Sequence, residues 1–157
     1  MKRTKKILIY TVFAAYTLVM LWLLFGQRLQ VYISGTWTEN YWEDFLQKIN
    51  LIPFHTIAEF WDALQNGSRS HAFINLAGNV VLFVPLGFLL PRVFLKAKTF
   101  GGCMLLVFLI MLCVEILQLV TLLGSFDVDD LILNIIGAAV GYVLYAAVRA
   151  IKEKKNV

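Results

Sequence analysis

Residues 100–123 read FGGCMLLVFLIMLCVEILQLVTLL, a run in which Glu115 is the only acidic or basic residue. Crossing the hydrocarbon core of a bilayer as a helix takes about 20 mostly apolar residues. Three further runs meet the same criterion, at residues 7–25, 74–95 and 131–148. The sequence therefore predicts an all-α integral membrane protein, a four-transmembrane-helix bundle that forms one domain over residues 1–157.

The composition supports this prediction. Of the 157 residues, 60% are hydrophobic and 15% are charged, whereas soluble domains are about half apolar and about a quarter charged. A chain of this length has too little interior to bury so much apolar surface, which argues against a water-soluble enzyme. The two cysteines, Cys103 and Cys113, show no metal-binding spacing, and we expect neither a metal nor a cofactor.

The basic residues indicate how the bundle is oriented. If both termini and the turn between the second and third spans are cytoplasmic, that side holds eleven of the fourteen Lys and Arg, and the other side holds eight of the ten acids. This asymmetry follows the positive-inside rule, so we expect cytoplasmic N- and C-termini. The net charge of +4 is then a topology signal. No basic aromatic face accompanies it, and we expect no nucleic-acid partner.

The outer segment between the first two spans, residues 26–73, is predicted to contain two short amphipathic helices. The first begins at Asn40 with Glu43 in its first turn, and the second begins at a capping box, Thr56–Glu59. These helices either lie on the outer leaflet or cap the bundle by packing. Trp rings favour headgroup depth, and three of the four lie here: Trp37, Trp42 and Trp61.

Polar side chains lie in the outer half of the second, third and fourth spans. Glu115 lies roughly 12 Å below the outer end of its span. Placing an acidic group at this depth in lipid costs free energy, so such a residue is expected to be functional. We expect a polar pocket that opens outward and holds a carboxyl that is often protonated. The alternative for the amides is that they only hold helices together. The candidate binding residues in the spans are Asn75, Asn79, Glu115, Gln118, Asp130 and Asn134.

The fourth span carries one stripe at helical spacing, made of Asp130, Asn134, Gly137 and Gly141. Its GxxxG allows a neighbouring backbone to approach closely, so this face is predicted to look into the bundle. In the second span, Pro85 removes a helical hydrogen bond, which either bends the helix or adjusts its packing.

The sequence also offers oxygen and nitrogen ligands, in His55, His71 and the block Asp127, Asp129 and Asp130. The order of the aspartates does not match an EF-hand, which needs further ligands and a glycine. We therefore predict no metal site. The three aspartates remain catalytic candidates beside Glu115, and Asp127 is also a candidate binding residue.

Four blocks of the chain read NLIPFHTI at 50–57, NLAGNVVLFVPLG at 75–87, EILQ at 115–118, and FDVDD at 126–130 followed by Asn134 and Gly137. Together and in this order they resemble the signature of the VanZ-like family. The resemblance implies a multi-pass protein of the bacterial cytoplasmic membrane. It also implies a link to lower susceptibility to the lipid-tailed glycopeptide antibiotic teicoplanin, the property of the family's namesake.

The chain departs from the family pattern at two positions. His55 stands where members often carry Arg or Lys, and Gly124-Ser125 replaces a turn that often holds a base. If those bases bind an anionic head group, this chain binds it more weakly or at lower pH through His55, which makes His55 a candidate binding residue.

Two function classes fit these observations. The first, which we favour, is a non-enzymatic envelope protein that binds an amphiphile at the outer leaflet: a membrane lipid, a lipid-linked wall precursor or a lipoglycopeptide tail. The second is an intramembrane enzyme acting on a lipid-linked substrate, with Glu115 as general acid or base and Asp127, Asp129 and Asp130 orienting water or a metal. The sequence leaves the oligomeric state open.

Overall fold

The computed structural model describes residues 3–26, 29, 40–65 and 69–155, with only the backbone at residues 69–75. Within these ranges four helices are long and apolar enough to cross a membrane. The all-α fold with four candidate spans is therefore confirmed. The helices are α1 Arg3–Leu21, extended by a π-helical turn Trp22–Gly26, then α2 Tyr41–Gln47, α3 His55–Gln65, α4 Arg69–Val93, α5 Phe100–Val120 and α6 Val128–Lys154.

The ends of the long helices differ from the predicted spans for local reasons. Phe94 is extended and leads into a short 3₁₀ turn, Leu95–Lys98, so α4 ends at Val93. Leu122 adopts a left-handed backbone with φ of 54°, which ends α5 before residue 123. Helix α4 runs through Pro85 without interruption.

Helices α4 and α6 meet backbone to backbone. A Cβ atom added to Gly137 or Gly141 would overlap the carbonyl oxygen of Val80 or Val84, and one added to Gly87 would overlap that of Ala138. Only glycine permits such an approach. The predicted GxxxG contact is thus confirmed, with α4 as its partner.

Helix α1 lies at the edge of the bundle, and Met20 is its only buried residue among those described. The Tyr16 hydroxyl donates a 2.7 Å hydrogen bond to the carbonyl of Leu82, and the ring of Phe13 packs edge-on against Phe94 at 5.9 Å. These contacts hold α1 along α4. The apolar core itself lies between α4, α5 and α6, where Phe83, Cys103, Val107 and Met111 are fully buried.

We call the end of the bundle where α5 ends and α6 begins the distal end. There Ile49–Asn50 (β1) and Phe126–Asp127 (β2) form a two-residue parallel pair, with Ile49 opposite Phe126 and Asn50 opposite Asp127. The sequence analysis did not predict these strands. The pair fastens the loop between α2 and α3 to the start of α6.

Helix α2 also covers the distal end of α5. The Tyr41 hydroxyl donates to the carbonyl of Val120 at 2.8 Å, and the Lys48 ammonium donates to the carbonyl of Leu122 at 2.7 Å. The last carbonyls of a helix need such donors because the helix itself supplies none. Trp42 and Trp61 nevertheless remain 72% and 60% exposed, so the two short helices cap the bundle and still present aromatic surface. Trp37 lies outside the described residues.

Candidate functional site

A cavity of about 440 Å³ lies at the distal end between α1, α4, α5 and α6. This volume lies within the usual range of small-molecule sites. We call it the distal cavity. Its apolar lining consists of Leu23, Leu24, Val81, Leu82 and Met111, together with Gly78. Its polar lining consists of Asn79, Glu115, Gln118, Asp130 and Asn134.

The structure therefore brings together side chains that the sequence analysis selected from three different helices. Glu115 is 2% exposed, and its Oε2 accepts a 3.2 Å hydrogen bond from the backbone N–H of Asp127. A backbone donor of this kind has a fixed position, so it orients the carboxyl group at the wall of the cavity.

Asp130 faces the cavity from the first turn of α6, where the Asn79 amide donates to its Oδ1. This bond joins α4 to α6 on the polar side of the cavity. Four residues further along α6, and so on the same face, Asn134 is 2% exposed. Its Oδ1 has no hydrogen-bond donor among the described residues. A buried carbonyl oxygen without a donor is costly, so the cavity presents an unsatisfied acceptor.

Helix α1 contributes a wall that the sequence analysis missed. The Gln118 amide donates a 3.0 Å hydrogen bond to the carbonyl of Leu24, within the π-helical turn that extends α1. The wider turn of a π-helix departs from regular α-helical hydrogen bonding and is frequently found at functional sites. In the sequence Leu23 and Leu24 look like ordinary lipid-facing residues, and no signal there separates them from their neighbours.

Asp127 and Asp129, two of the four catalytic candidates, bind the loop between α2 and α3 and do not line the cavity. Asp127 caps α6 by accepting from the Asp129 N–H at 2.8 Å, and it also accepts from the Thr56 hydroxyl at 2.6 Å. Asp129 is fully buried and accepts the backbone N–H groups of Phe54 and Ile57. We call this set the loop junction: Asn50, Phe54, Thr56, Ile57, Asp127 and Asp129.

The loop junction corrects the predicted capping box. Helix α3 begins at His55, so Thr56 lies inside its first turn and directs its hydroxyl to Asp127. Phe54, just before the helix, adopts a left-handed backbone with φ of 65°. The Asn40 side chain likewise makes no cap to α2, and its amide donates to Glu43 instead.

Comparison with known proteins identifies the family. The family model VanZ/LLP1 matches residues 13–149. The chain belongs to this family. It is similar to Protein VanZ of Enterococcus faecium, with 29% identity over 140 residues that cover 89% of this chain and 74% of that protein. No solved structure matches. The resemblance predicted from the four motif blocks is confirmed.

The blocks that carry the VanZ resemblance meet at the distal end. NLIPFHTI supplies the loop side of the junction, and FDVDD supplies the carboxyl groups that hold it. Asn79, the two polar residues of EILQ, Asp130 and Asn134 line the cavity beside the junction. The VanZ-family motifs thus form two adjoining structures, the loop junction and the distal cavity.

The remaining candidates of this VanZ-family chain are not part of the cavity as described. His55 lies on α3, half-exposed, with its Nε2 3.8 Å from Glu59, and it does not line the cavity. Asn75 and His71 belong to helix α4, but the structure describes only their backbone and not their side chains. Among the residues that the structure describes, no group of three or more His, Cys, Asp or Glu is placed to hold a metal ion.

Proposed function

We propose that this VanZ-family membrane protein binds the polar head of an amphiphile in the distal cavity, at the outer leaflet of the bacterial cytoplasmic membrane. The observation that carries the proposal is the mixed lining of the cavity. Carboxyl and amide residues line it together with Leu, Val and Met residues. A ligand that satisfies both kinds of lining has a polar head joined to an apolar chain.

The mouth of the cavity favours a ligand that arrives from lipid. Gly78 is exposed, and Val81 is 65% exposed, yet both line the cavity. Both belong to the part of α4 that is apolar enough to cross a membrane. An alkyl chain extending past them stays in hydrocarbon while the head reaches Glu115 and Asp130.

The outward orientation follows from the distribution of charge and is open to test. The opposite end of the bundle carries the basic residues Arg92, Lys96, Lys98, Arg149 and Lys152, which the positive-inside rule assigns to the cytoplasm. We expect a fluorescent-protein fusion at the C-terminus to fluoresce and an alkaline phosphatase fusion there to be inactive. An active phosphatase fusion would reverse the topology and place the cavity in the inner leaflet.

Two glycines provide a matched test of the cavity. Gly78 at the mouth and Gly101 near the start of α5 both have open space around an added Cβ, so Gly78→Phe and Gly101→Phe add the same ring without a clash at the Cβ. Purified protein in lipid nanodiscs is titrated with teicoplanin and, separately, with a fluorescent phospholipid. We expect Gly78→Phe to weaken saturable binding at least tenfold and Gly101→Phe to leave it unchanged.

The proposal fails if the wild-type protein shows no saturable binding of any amphiphile, or if both glycine variants bind like wild type. In cells, the same pair links binding to resistance. Gly78→Phe should restore susceptibility to teicoplanin, with membrane levels of both variants measured by immunoblot.

A second candidate function is catalysis on a lipid-linked substrate of the cell envelope. It is favoured by the presence of two carboxyl groups, Glu115 and Asp130, on one cavity, since paired carboxyl groups perform general acid and base chemistry. Asp127 and Asp129 are less suited because donors of the loop junction occupy their oxygens. Lipid analysis of a deletion strain tests this candidate, and the absence of an accumulating substrate would contradict it.

A further inference from the structure

We propose that the end of the bundle opposite the distal cavity binds the phosphate head of an anionic phospholipid. The site is a second cavity, of about 210 Å³, between the end of α4 and the last turns of α6. We call it the proximal cavity. The inference concerns a different site from the amphiphile binding proposed above and does not depend on it. The lining consists of Arg92, Tyr145, Val148, Arg149, Lys152 and Glu153.

The lining of the proximal cavity carries an excess of positive charge. Arg92, Arg149 and Lys152 are cationic, and Glu153 is the only acid among the described lining residues. The Glu153 carboxylate is paired with Arg149, whose Nε lies 2.8 Å from its Oε1. Within the described part of the chain, neither Arg92 nor Lys152 forms an ion pair. Two positive charges of the described lining thus lack a counter-charge, which a phosphate supplies.

Arg92 is held in place by contacts other than ion pairs. Its guanidinium carbon lies 3.5 Å from the centre of the Phe88 ring and 5.4 Å from that of Tyr145. Its Nη1 donates a 3.0 Å hydrogen bond to the Phe88 carbonyl. Because an arginine has five N–H donors, this bond leaves others for a ligand. The planar fork of a stacked guanidinium is pre-organised for phosphate oxygens, so less side-chain freedom is lost on binding.

The position of Arg92 separates the proximal cavity from ordinary basic residues at a membrane surface. A positive end is expected from topology alone, and Lys154 and Lys155 are exposed residues of that kind that do not line the cavity. Arg92 instead lies just before the last residue of α4, is only partly exposed, and belongs to a segment apolar enough to cross a membrane. Basic side chains near helix ends reach the level of lipid head groups. Basic pockets between transmembrane helices bind anionic heads.

An apolar face of α6 continues from the proximal cavity and favours a lipid over a soluble phosphate. Val148 lines the cavity, and Leu144 and Val140 precede it at intervals of four residues, on the same face of the helix. Leu144 is 49% exposed and Val140 is 47% exposed, so both offer surface along which an acyl chain packs. A phosphate bound at Arg92 and Lys152 then directs its chains toward the centre of the bilayer.

Native mass spectrometry of the full-length protein in a non-ionic detergent counts bound lipids and tests the inference. Phosphatidylglycerol and phosphatidylcholine with identical acyl chains are titrated separately, and glycerophosphate serves as a phosphate without acyl chains. We expect the wild-type protein to bind one phosphatidylglycerol at least tenfold more tightly than phosphatidylcholine. An excess of glycerophosphate should not displace this lipid.

Two double variants remove the same charge from the same end of the bundle. Helices α4 and α6 both end here, and the carboxyl end of a helix is partially negative, so binding depends on the side-chain cations. Arg92→Gln/Lys152→Gln should therefore weaken phosphatidylglycerol binding at least tenfold. Lys154→Gln/Lys155→Gln, outside the cavity, should leave the affinity near that of wild type. Melting temperatures show whether each variant is folded.

A pair of single variants keeps the contacts of Arg92 and makes the same comparison if the first double variant does not fold. Lys152 and Lys154 are both exposed, and only Lys152 lines the cavity. Lys152→Gln should weaken phosphatidylglycerol binding at least threefold, and Lys154→Gln should not change it.

Four other outcomes overturn the inference. Equal affinity for phosphatidylcholine would show that the charge of the head is not recognised. Equal losses in the cavity variants and their controls would assign the affinity to diffuse surface charge. Displacement by glycerophosphate would indicate a site for soluble phosphate. Gly78→Phe, at the mouth of the distal cavity, should bind phosphatidylglycerol like wild type; a loss there would place this lipid in the distal cavity and leave the function proposed above standing.

Discussion

The loop junction and the distal cavity use the same kind of side chain for different purposes. Asp129 and Asp130 are neighbours in the chain, yet Asp129 is fully buried against the backbone of the loop, while Asp130 lines the cavity. Because successive residues of a helix point about 100° apart, adjacent carboxyl groups reach different surroundings. Acidic residues that look equivalent in the sequence therefore have two roles. Asp127 and Asp129 hold the loop, whereas Glu115 and Asp130 line the cavity.

In the part of the chain that the structure describes, a hydrogen bond couples the two regions. The backbone N–H of Asp127, in the junction, donates to Glu115 of the cavity. Damage to the junction is thus expected to disturb the cavity. Replacement of a cavity side chain that keeps this bond should leave the junction intact. The following substitutions test that asymmetry.

The largest effect is expected for Asp129→Ala. This change leaves the part-buried N–H groups of Phe54 and Ile57 without their acceptor, and it should reduce the free energy of unfolding by about 3 kcal/mol. Asp130→Ala, its matched control, removes a part-buried partner of Asn79 and should destabilise the protein by less than half as much. Thermal unfolding of the purified variants measures both. Equal stability of the two variants would show that the junction and the cavity do not differ.

The glycine contact beneath the cavity should be next in size. Gly141→Leu forces α6 away from Val84 on α4, and overpacking of this kind costs about 2 kcal/mol. Ala139→Leu adds nearly the same volume on a half-exposed face and should be tolerated. Expression level and melting temperature test the pair. If the Gly141→Leu protein is as stable as the Ala139→Leu protein, the close α4–α6 contact does not support the cavity.

A smaller loss is expected for Thr56→Val, which keeps the shape of the side chain and removes the hydroxyl that donates to Asp127. The free energy of unfolding should fall by about 1 kcal/mol. Ligand binding should fall only slightly, in step with stability, because Thr56 reaches the cavity only through Asp127 and does not line it. If binding falls more than stability does, the loop takes part in the site directly.

The smallest effect on stability is expected for Glu115→Gln, which still accepts the Asp127 N–H. Its melting temperature should stay near that of wild type, whereas binding or resistance should be lost if the charge of Glu115 matters. Glu115→Leu removes the acceptor as well and should also destabilise the junction. Wild-type binding and resistance in a well-expressed Glu115→Leu protein would exclude Glu115 from the site.

Helical spacing was sufficient to predict much of this architecture. It placed the four spans and the inward face of Gly137 and Gly141. It also placed the polar residues of three spans, Asn79, Glu115, Gln118 and Asn134, in one depth range. These features depend on periodicity within single helices, which a sequence displays directly.

The features that the sequence analysis missed depend on partners distant in the chain. Thr56 forms a good local capping box, but its hydroxyl contacts Asp127, 71 residues away. The strands β1 and β2 are two residues each, too short to show alternation. Leu24 binds Gln118 of the cavity through its backbone carbonyl, which carries no residue-type signal.

The junction also bears on the order in which the protein is made. The backbone of Phe54 bonds to Asp129, which lies 75 residues later in the chain. At a synthesis rate of about 5–20 residues per second, the loop emerges about 4–15 s before its acceptor. During that interval two further spans must insert while the amides of the loop are satisfied by water. Closure of the loop therefore marks the completion of membrane insertion, because it awaits the last helix.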